Sequence, residues 1–117
     1  MKKIEAIIRA SHLERVRVAL HQKGIVGMTI YEAKGVGCEQ GPTFTYRGNS
    51  ETQNYVARVK VEVIVNEEVA DLVIDTIYAS AYTGSVGDGR IVVSHVDELI
   101  RIRTGECEPQ RVDVATW

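Results

Sequence analysis

Two short stretches of this 117-residue chain carry residue types suited to holding anions. The first is Thr83-Gly84-Ser85-Val86-Gly87-Asp88-Gly89-Arg90. Its three glycines let the backbone approach a ligand closely, successive amides can form an anion-binding nest, and Arg90 adds a charged fork. It is not a Walker motif, because no Gly-Lys-Ser/Thr follows. The same residues equally suit a tight helix-to-strand turn that needs positive φ and holds nothing. The second stretch is Arg101-Ile102-Arg103-Thr104-Gly105-Glu106. In an extended strand Arg101 and Arg103 project to one side with Ile102 turned inward. Two guanidinium groups on one face suit a polyphosphate better than a single carboxylate, whereas alone they make a solvated basic edge. Together the two stretches point to phosphate binding.

Other reactive side chains form no such constellation. Cys38 and Cys107 are the chain's two cysteines, in no metal-ligand spacing, and read as unrelated reduced thiols before a redox pair. His12, His21 and His95 fit no metal motif. An ATPase would need Glu39 or Asp88 to position water at a metal, but neither has an evident partner to orient it, so a binding protein is expected rather than an enzyme.

Composition sets the frame for these residues. With 44% hydrophobic and 26% charged residues, the chain suits one ordinary globular domain that buries its own core. A formal net charge of −2 supplies no general field for nucleic acid, so no direct nucleic-acid partner is expected. No apolar run approaches the roughly 20 residues of a membrane span, so no membrane insertion is expected either. Met1-Lys2-Lys3-Ile4-Glu5 reaches charge too early for a signal peptide, which makes the cytoplasm the expected location.

The elements that must position the two stretches follow from periodicity. Residues 2–9 read as a half-buried strand. Ser11 and Glu14 form a capping-box pair, Leu13, Val16, Ala19 and Leu20 follow at helical spacing, and Gly24 stops the helix. A second strand is expected over 25–34, with Met28, Ile30 and Ala33 among its apolar positions. Residues 58–65 alternate, with Val59, Val61 and Val63 opposite Lys60 and Glu62. Asn66 is placed as a helix cap, with Glu67 and Glu68 at the positive end of the dipole. Val69, Leu72, Val73, Thr76 and Ile77 carry the helical stripe, and 90–96 form the closing strand.

Two strand-helix-strand units predict an α+β, ferredoxin-like βαββαβ sandwich with both helices on one face. The uncovered face, expected to carry Ile and Val, would meet other copies of the chain. The link over about residues 36–57 is far longer than a hairpin needs, and long polar loops of this sort are either functional or disordered. The domain is therefore expected over 1–106, with a tail over 107–117 that ends on the single tryptophan, Trp117.

These residues resemble the PII signal-transduction family of nitrogen and carbon regulators. The resemblance rests on Met1-Lys2-Lys3-Ile4-Glu5-Ala6-Ile7-Ile8, Gly27-Met28-Thr29, Lys34-Gly35-Val36-Gly37, Tyr46-Arg47-Gly48, Val59-Lys60-Val61-Glu62 and the two anion-holding stretches, ungapped from Met1 to Glu106. It implies a homotrimer with three nucleotide sites between subunits, and a long loop that docks on a transporter, enzyme or transcription regulator. By resemblance Gly87, Asp88, Gly89 and Arg90 cradle phosphates with Arg101 and Arg103. Thr29, Gly35, Gly37, Glu62 and Ile64 lie around the adenine and ribose, with Cys38 and Glu39 beside them. ATP and ADP would compete, and AMP is a further candidate.

Three departures shape that expectation. Glu39 replaces the glutamine that helps coordinate a magnesium ion shared by ATP and 2-oxoglutarate. A carboxylate is a good magnesium ligand, but it adds negative charge beside two anions. Arg58 replaces the lysine that holds 2-oxoglutarate and presents a differently shaped head. Adenine-nucleotide binding is thus implied more firmly than 2-oxoglutarate binding, with bicarbonate an alternative second effector. In the loop, Glu51 stands where many members carry a uridylylated tyrosine, and Asn49 where some carry a phosphorylated serine.

Overall fold

The computed structural model describes residues 1–36, 43–46, 49–52 and 55–108. A four-stranded antiparallel sheet of order β2-β5-β1-β6 is built from β1 (Lys2–Arg9), β2 (Thr29–Gly35), β5 (Val56–Val65) and β6 (Arg90–His95). Helices α1 (Leu13–Gln22) and α2 (Glu67–Ala81) cover one face. Two hairpins stand apart from this sheet: β3 (Thr43–Tyr46) with β4 (Asn49–Thr52), and β7 (Leu99–Ile100) with β8 (Cys107–Glu108). The architecture is the expected ferredoxin-like α+β sandwich.

Register explains which side chains are buried. Pairing sets Ile4 opposite Val63, Ala6 opposite Val61 and Ile8 opposite Val59, so these six point together toward the helices. Val16 and Leu20 of α1 and Ala70, Val73 and Ile77 of α2 complete the core. Gly24 ends the first helical segment at φ +85°, its amide donating to the His21 carbonyl.

Several local expectations are corrected. Ser11 caps nothing: residues Ala10–His12 form a 3-10 turn, Ser11 Oγ lies 3.1 Å from His12 Nδ1, and Glu14 is held by Arg17. Asn66 occupies the N-cap position of α2, but its side chain makes no capping bond. The buried stripe of α2 is rotated from the expected one: Ala70, Val73, Ile77, Ser80 and Ala81 face inward, while Leu72 is 40% exposed. Small residues at three of those positions let the helix sit close to its neighbours. Strand β2 starts at Thr29, and β5 begins at Val56, inside the expected loop.

The uncovered face is more charged than expected. Lys3 meets Glu5 at 2.9 Å, Lys60 reaches Glu5 at 3.5 Å and Glu62 at 3.9 Å, and Lys60 lies over the Tyr31 ring. Ile7, Ile64 and Val92 occupy the same face by register, so apolar side chains flank an ionic centre.

Candidate functional site

The glycine-rich stretch is the turn from α2 into β6, and its shape is set by Asp88. The Asp88 carboxylate accepts the amides of Thr83 and Gly84 at 2.8 Å each and the Thr83 hydroxyl. Arg9, the last residue of β1, donates Nε to Asp88 Oδ1 at 3.1 Å and Nη2 to the Val86 carbonyl at 2.8 Å. These donors, the Thr83 hydroxyl foremost, hold the Asp88 carboxyl well below the usual carboxylate range. Its side chain therefore organises the turn.

Positive φ at Gly84, Gly87 and Gly89 confirms the backbone reading of this stretch. At Gly89 the requirement is also steric, since a Cβ would stand 1.7 Å from the Ile7 carbonyl oxygen. Arg90 then opens β6 opposite Ile7. A pocket of about 370 Å³ lies beside the turn, walled by Ile8, Ile74, Ile77, Tyr78, Tyr82 and Ile91 with Asp88, Gly89 and Arg90.

Positive charge gathers at this end of the sheet. Arg9 pairs with Arg58 in register, and Arg90 starts two positions along β1 from Arg9. Arg58 is nearly buried; desolvation first and the Arg9 charge second lower its affinity for its proton. Arg58 lies in the wall of a second pocket of about 730 Å³ with Glu32, Lys34 and Tyr55. A Cβ at Gly35 would stand 3.1 Å from Arg58 Cγ, so any larger residue there would require the Arg58 side chain to shift by a few tenths of an ångström. Arg9 was not singled out from the sequence, although its place at the end of an alternating strand, on the face of Arg58 and Arg90, is a legible signal.

The other sequence candidates fall elsewhere. Thr29 pairs with Glu62, and Ile64 with Lys3, so they sit toward the β2 side of the sheet. Edge strand β2 lies three strand spacings from β6, roughly 14 Å. The pocket beside the turn has neither Thr29 nor Glu62 in its wall. Gly37, Cys38 and Glu39, and with Glu39 the proposed metal ligand, lie outside the described residues, as does the tail beyond Glu108.

The arginine pair is placed differently from the extended strand expected. Residues 101–105 form the tip of the β7-β8 hairpin, closed by Gly105 N–H to Arg101 O at 2.7 Å and Arg101 N–H to Glu106 O at 2.8 Å. Gly105 takes φ +71°, which lets the chain reverse there. Ile102, expected to point inward, is fully exposed between the two arginines. Arg101 meets Glu108 at 3.7 Å.

Fold and site together define a small ferredoxin-like domain with a clamped, glycine-rich turn and an arginine-tipped hairpin. A family model described as nitrogen regulatory protein P-II matches residues 1–106. The nitrogen regulatory protein P-II of Nostoc punctiforme is 47% identical over 112 residues, 96% of this chain and the whole of that protein. That of Rhizobium meliloti is 50% identical over 106 residues, 91% of this chain and 95% of the relative. Nitrogen regulatory protein P-II 1 of Escherichia coli K12 is 47% identical over 106 residues, with the same coverage. The chain belongs to the P-II family of nitrogen regulatory proteins. Among the described residues no helix is long and apolar enough to cross a membrane, and no cluster of metal-ligating side chains occurs.

Proposed function

We propose that the protein is an adenine-nucleotide-sensing regulatory adapter, a homotrimer whose nucleotide state is read by a target protein through the long loop over 36–57. The observation that carries this reading is the Arg9–Asp88 clamp. It holds a turn of three left-handed glycines rigid beside Arg9, Arg58 and Arg90, a preorganised setting for phosphate oxygens. Gly87, Gly89 and Arg90 would hold the phosphates with Arg101 and Arg103. Thr29, Gly35, Gly37, Cys38, Glu39, Glu62 and Ile64 would surround the adenine and ribose.

The separation of Thr29 and Glu62 from Arg90 across the sheet supports a site completed by a neighbouring copy. Glu39 would supply a carboxylate to a magnesium ion carried with ATP. Regulation then follows from linkage: a nucleotide that favours one loop conformation shifts the population by its differential affinity and no more. The target is a transporter, enzyme or transcription regulator of nitrogen or carbon metabolism, and the relatives' printed names as regulatory proteins support a role without turnover.

A second reading concerns the other effector. Arg58 lies nearly buried in a pocket shared with Glu32 and Lys34, where a small anion such as bicarbonate fits the charge as well as 2-oxoglutarate does. Calorimetric titration of the protein with ATP, ADP and AMP, each with and without magnesium, 2-oxoglutarate and bicarbonate, tests both readings. Micromolar ATP or ADP binding is expected. Tightening by 2-oxoglutarate would make this a conventional nitrogen sensor, and ADP or AMP binding without it would favour the bicarbonate reading. Absence of nucleotide binding would overturn the proposal.

A further inference from the structure

We propose that the outer surface of the helical layer docks on the same surface of a second copy of this chain, with α1 of each copy lying antiparallel on α2 of the other. The contact stands apart from the glycine-rich turn and does not rest on the nucleotide reading above.

The two helices present opposite charge to solvent. Arg15 and Arg17 of α1 are exposed, as is Lys23 at its end, against one acid, Glu14. Helix α2 carries Glu67, Glu68, Asp71 and Asp75, all exposed, and no basic residue. Each helix also sets an aliphatic side chain among its charges. Val18, 41% exposed, lies one turn from Arg15, and Leu72, 40% exposed, lies one turn from Glu68 and Asp75. Arg17 holds Glu14 at 2.6 Å, but among the described residues no ion pair joins α1 to α2. The two patches therefore stay unneutralised side by side.

Chain direction makes this surface self-complementary. Helix α1 starts just past Arg9, which bonds Asp88 beyond the end of α2. Helix α2 starts just past Val65, which pairs with Lys2 at the opening of β1. The first turn of α1 thus lies at the same end of the layer as the last turn of α2. Two such layers can meet face to face about a two-fold axis in two ways. An axis across the helices sets α1 on α1 and α2 on α2, with four carboxylates of one copy against four of the other, which is repulsive. An axis along the helices sets α1 on α2 twice. Arg15 then approaches the Asp75 end of α2 and the exposed ring of Tyr78, while Lys23 approaches the Glu68 and Asp71 end. Charge selects this second arrangement, and with it a second copy as the occupant. Exposed ion pairs are individually weak, so the contact forms with rising protein concentration and is screened by salt.

The test is sedimentation velocity over a range of protein concentrations, at about 0.01 M and about 1 M salt, between which the screening length falls from about 30 to about 3 Å. At low salt the average mass of the native protein should rise with concentration above that of its smallest assembly, and at high salt it should not. Arg15→Glu with Lys23→Glu on α1, or Asp71→Lys with Asp75→Lys on α2, alters exposed positions and leaves the smallest assembly unchanged. Because the two-fold axis repeats every pair, each double variant alone should associate at least roughly tenfold more weakly. An equal mixture of the two variants should recover association, since acidic α1 then meets basic α2 while the native pair of helices remains on the other side. A native mass independent of concentration at low salt would overturn the proposal. So would variants that associate as the native protein does, or a mixture that fails to recover.

Discussion

Arg9 and Asp88, 79 positions apart in the chain, are joined by a 3.1 Å ion pair between Nε and Oδ1. The contact ties the end of the first strand to the turn that starts the last strand of the sheet. It makes the conformation of the glycine-rich turn a property of the whole sheet and not of the turn alone. Arg9→Ala removes the bond to Asp88 and the one to the Val86 carbonyl together. It is expected to leave the fold intact while weakening ATP and ADP binding roughly tenfold, measured by calorimetry.

Acid should release this clamp in a defined direction. The Asp88 carboxyl is depressed below its usual range by the Thr83 hydroxyl and amide first, then by Gly84 and Arg9. A depressed carboxylate contributes stability that is complete above its unfolded value of about 3.9 and is lost as pH falls through the folded value. Glu5, lowered chiefly by its hydrogen bond from Lys3, acts in the same sense. Stability measured by denaturant should therefore fall as pH drops below about 4, and Asp88→Asn should flatten that dependence. An Asp88 carboxyl titrating at its ordinary value by NMR would contradict the clamp.

Gly89 admits no side chain. Alanine there would combine φ +100° with a Cβ 1.7 Å from the Ile7 carbonyl oxygen, in the ladder between β1 and β6. Gly89→Ala is expected to cost roughly 3 kcal/mol or more in unfolding free energy at fixed protein concentration. Gly24→Ala is the control: its positive φ carries the conformational cost, but nothing lies within 4 Å of the added carbon. A loss of only about 1 to 2 kcal/mol is expected there.

Leu20 tests the packing that holds the helices to the sheet. It is fully buried with Ile4, Val61 and Ile77 in one core cluster. Leu20→Ala should destabilise by about 2–5 kcal/mol, read from chemical denaturation, without altering the Arg9–Asp88 clamp.

Much of this was legible in the sequence because period-2 alternation and burial coincide. Strand β1 spans the expected residues 2–9, and Val59, Val61 and Val63 face the core as their spacing requires. Gly84, Gly87 and Gly89 take the positive φ that their clustering implied. What failed were inferences needing tertiary information. Ser11 and Glu14 have capping-box spacing, yet Arg17 captures the Glu14 carboxylate with bonds as short as 2.6 Å. The Arg-Ile-Arg alternation looks extended, but the following Thr-Gly turns the chain back and leaves Ile102 outside. The place of Arg9 at the end of an alternating strand is legible, but its bond to Asp88 spans most of the chain, and no local pattern encodes a contact of that separation.

The proposed division of the site between copies is tested most directly by subunit mixing. In the proposed homotrimer, Arg90→Ala and Arg103→Ala chains would each carry the same lesion in every site, so each should bind ATP at least tenfold more weakly than the native protein. Unfolded together in equal amounts and refolded, they would form mixed trimers in which some sites draw Arg90 from one chain type and Arg103 from the other. If the two arginines of a site come from different copies, roughly a quarter of the sites should regain native affinity for ATP. Recovery near that level is the predicted result. If both arginines come from one copy, every site retains a lesion, and mixtures that bind no better than the separate variants would contradict the account.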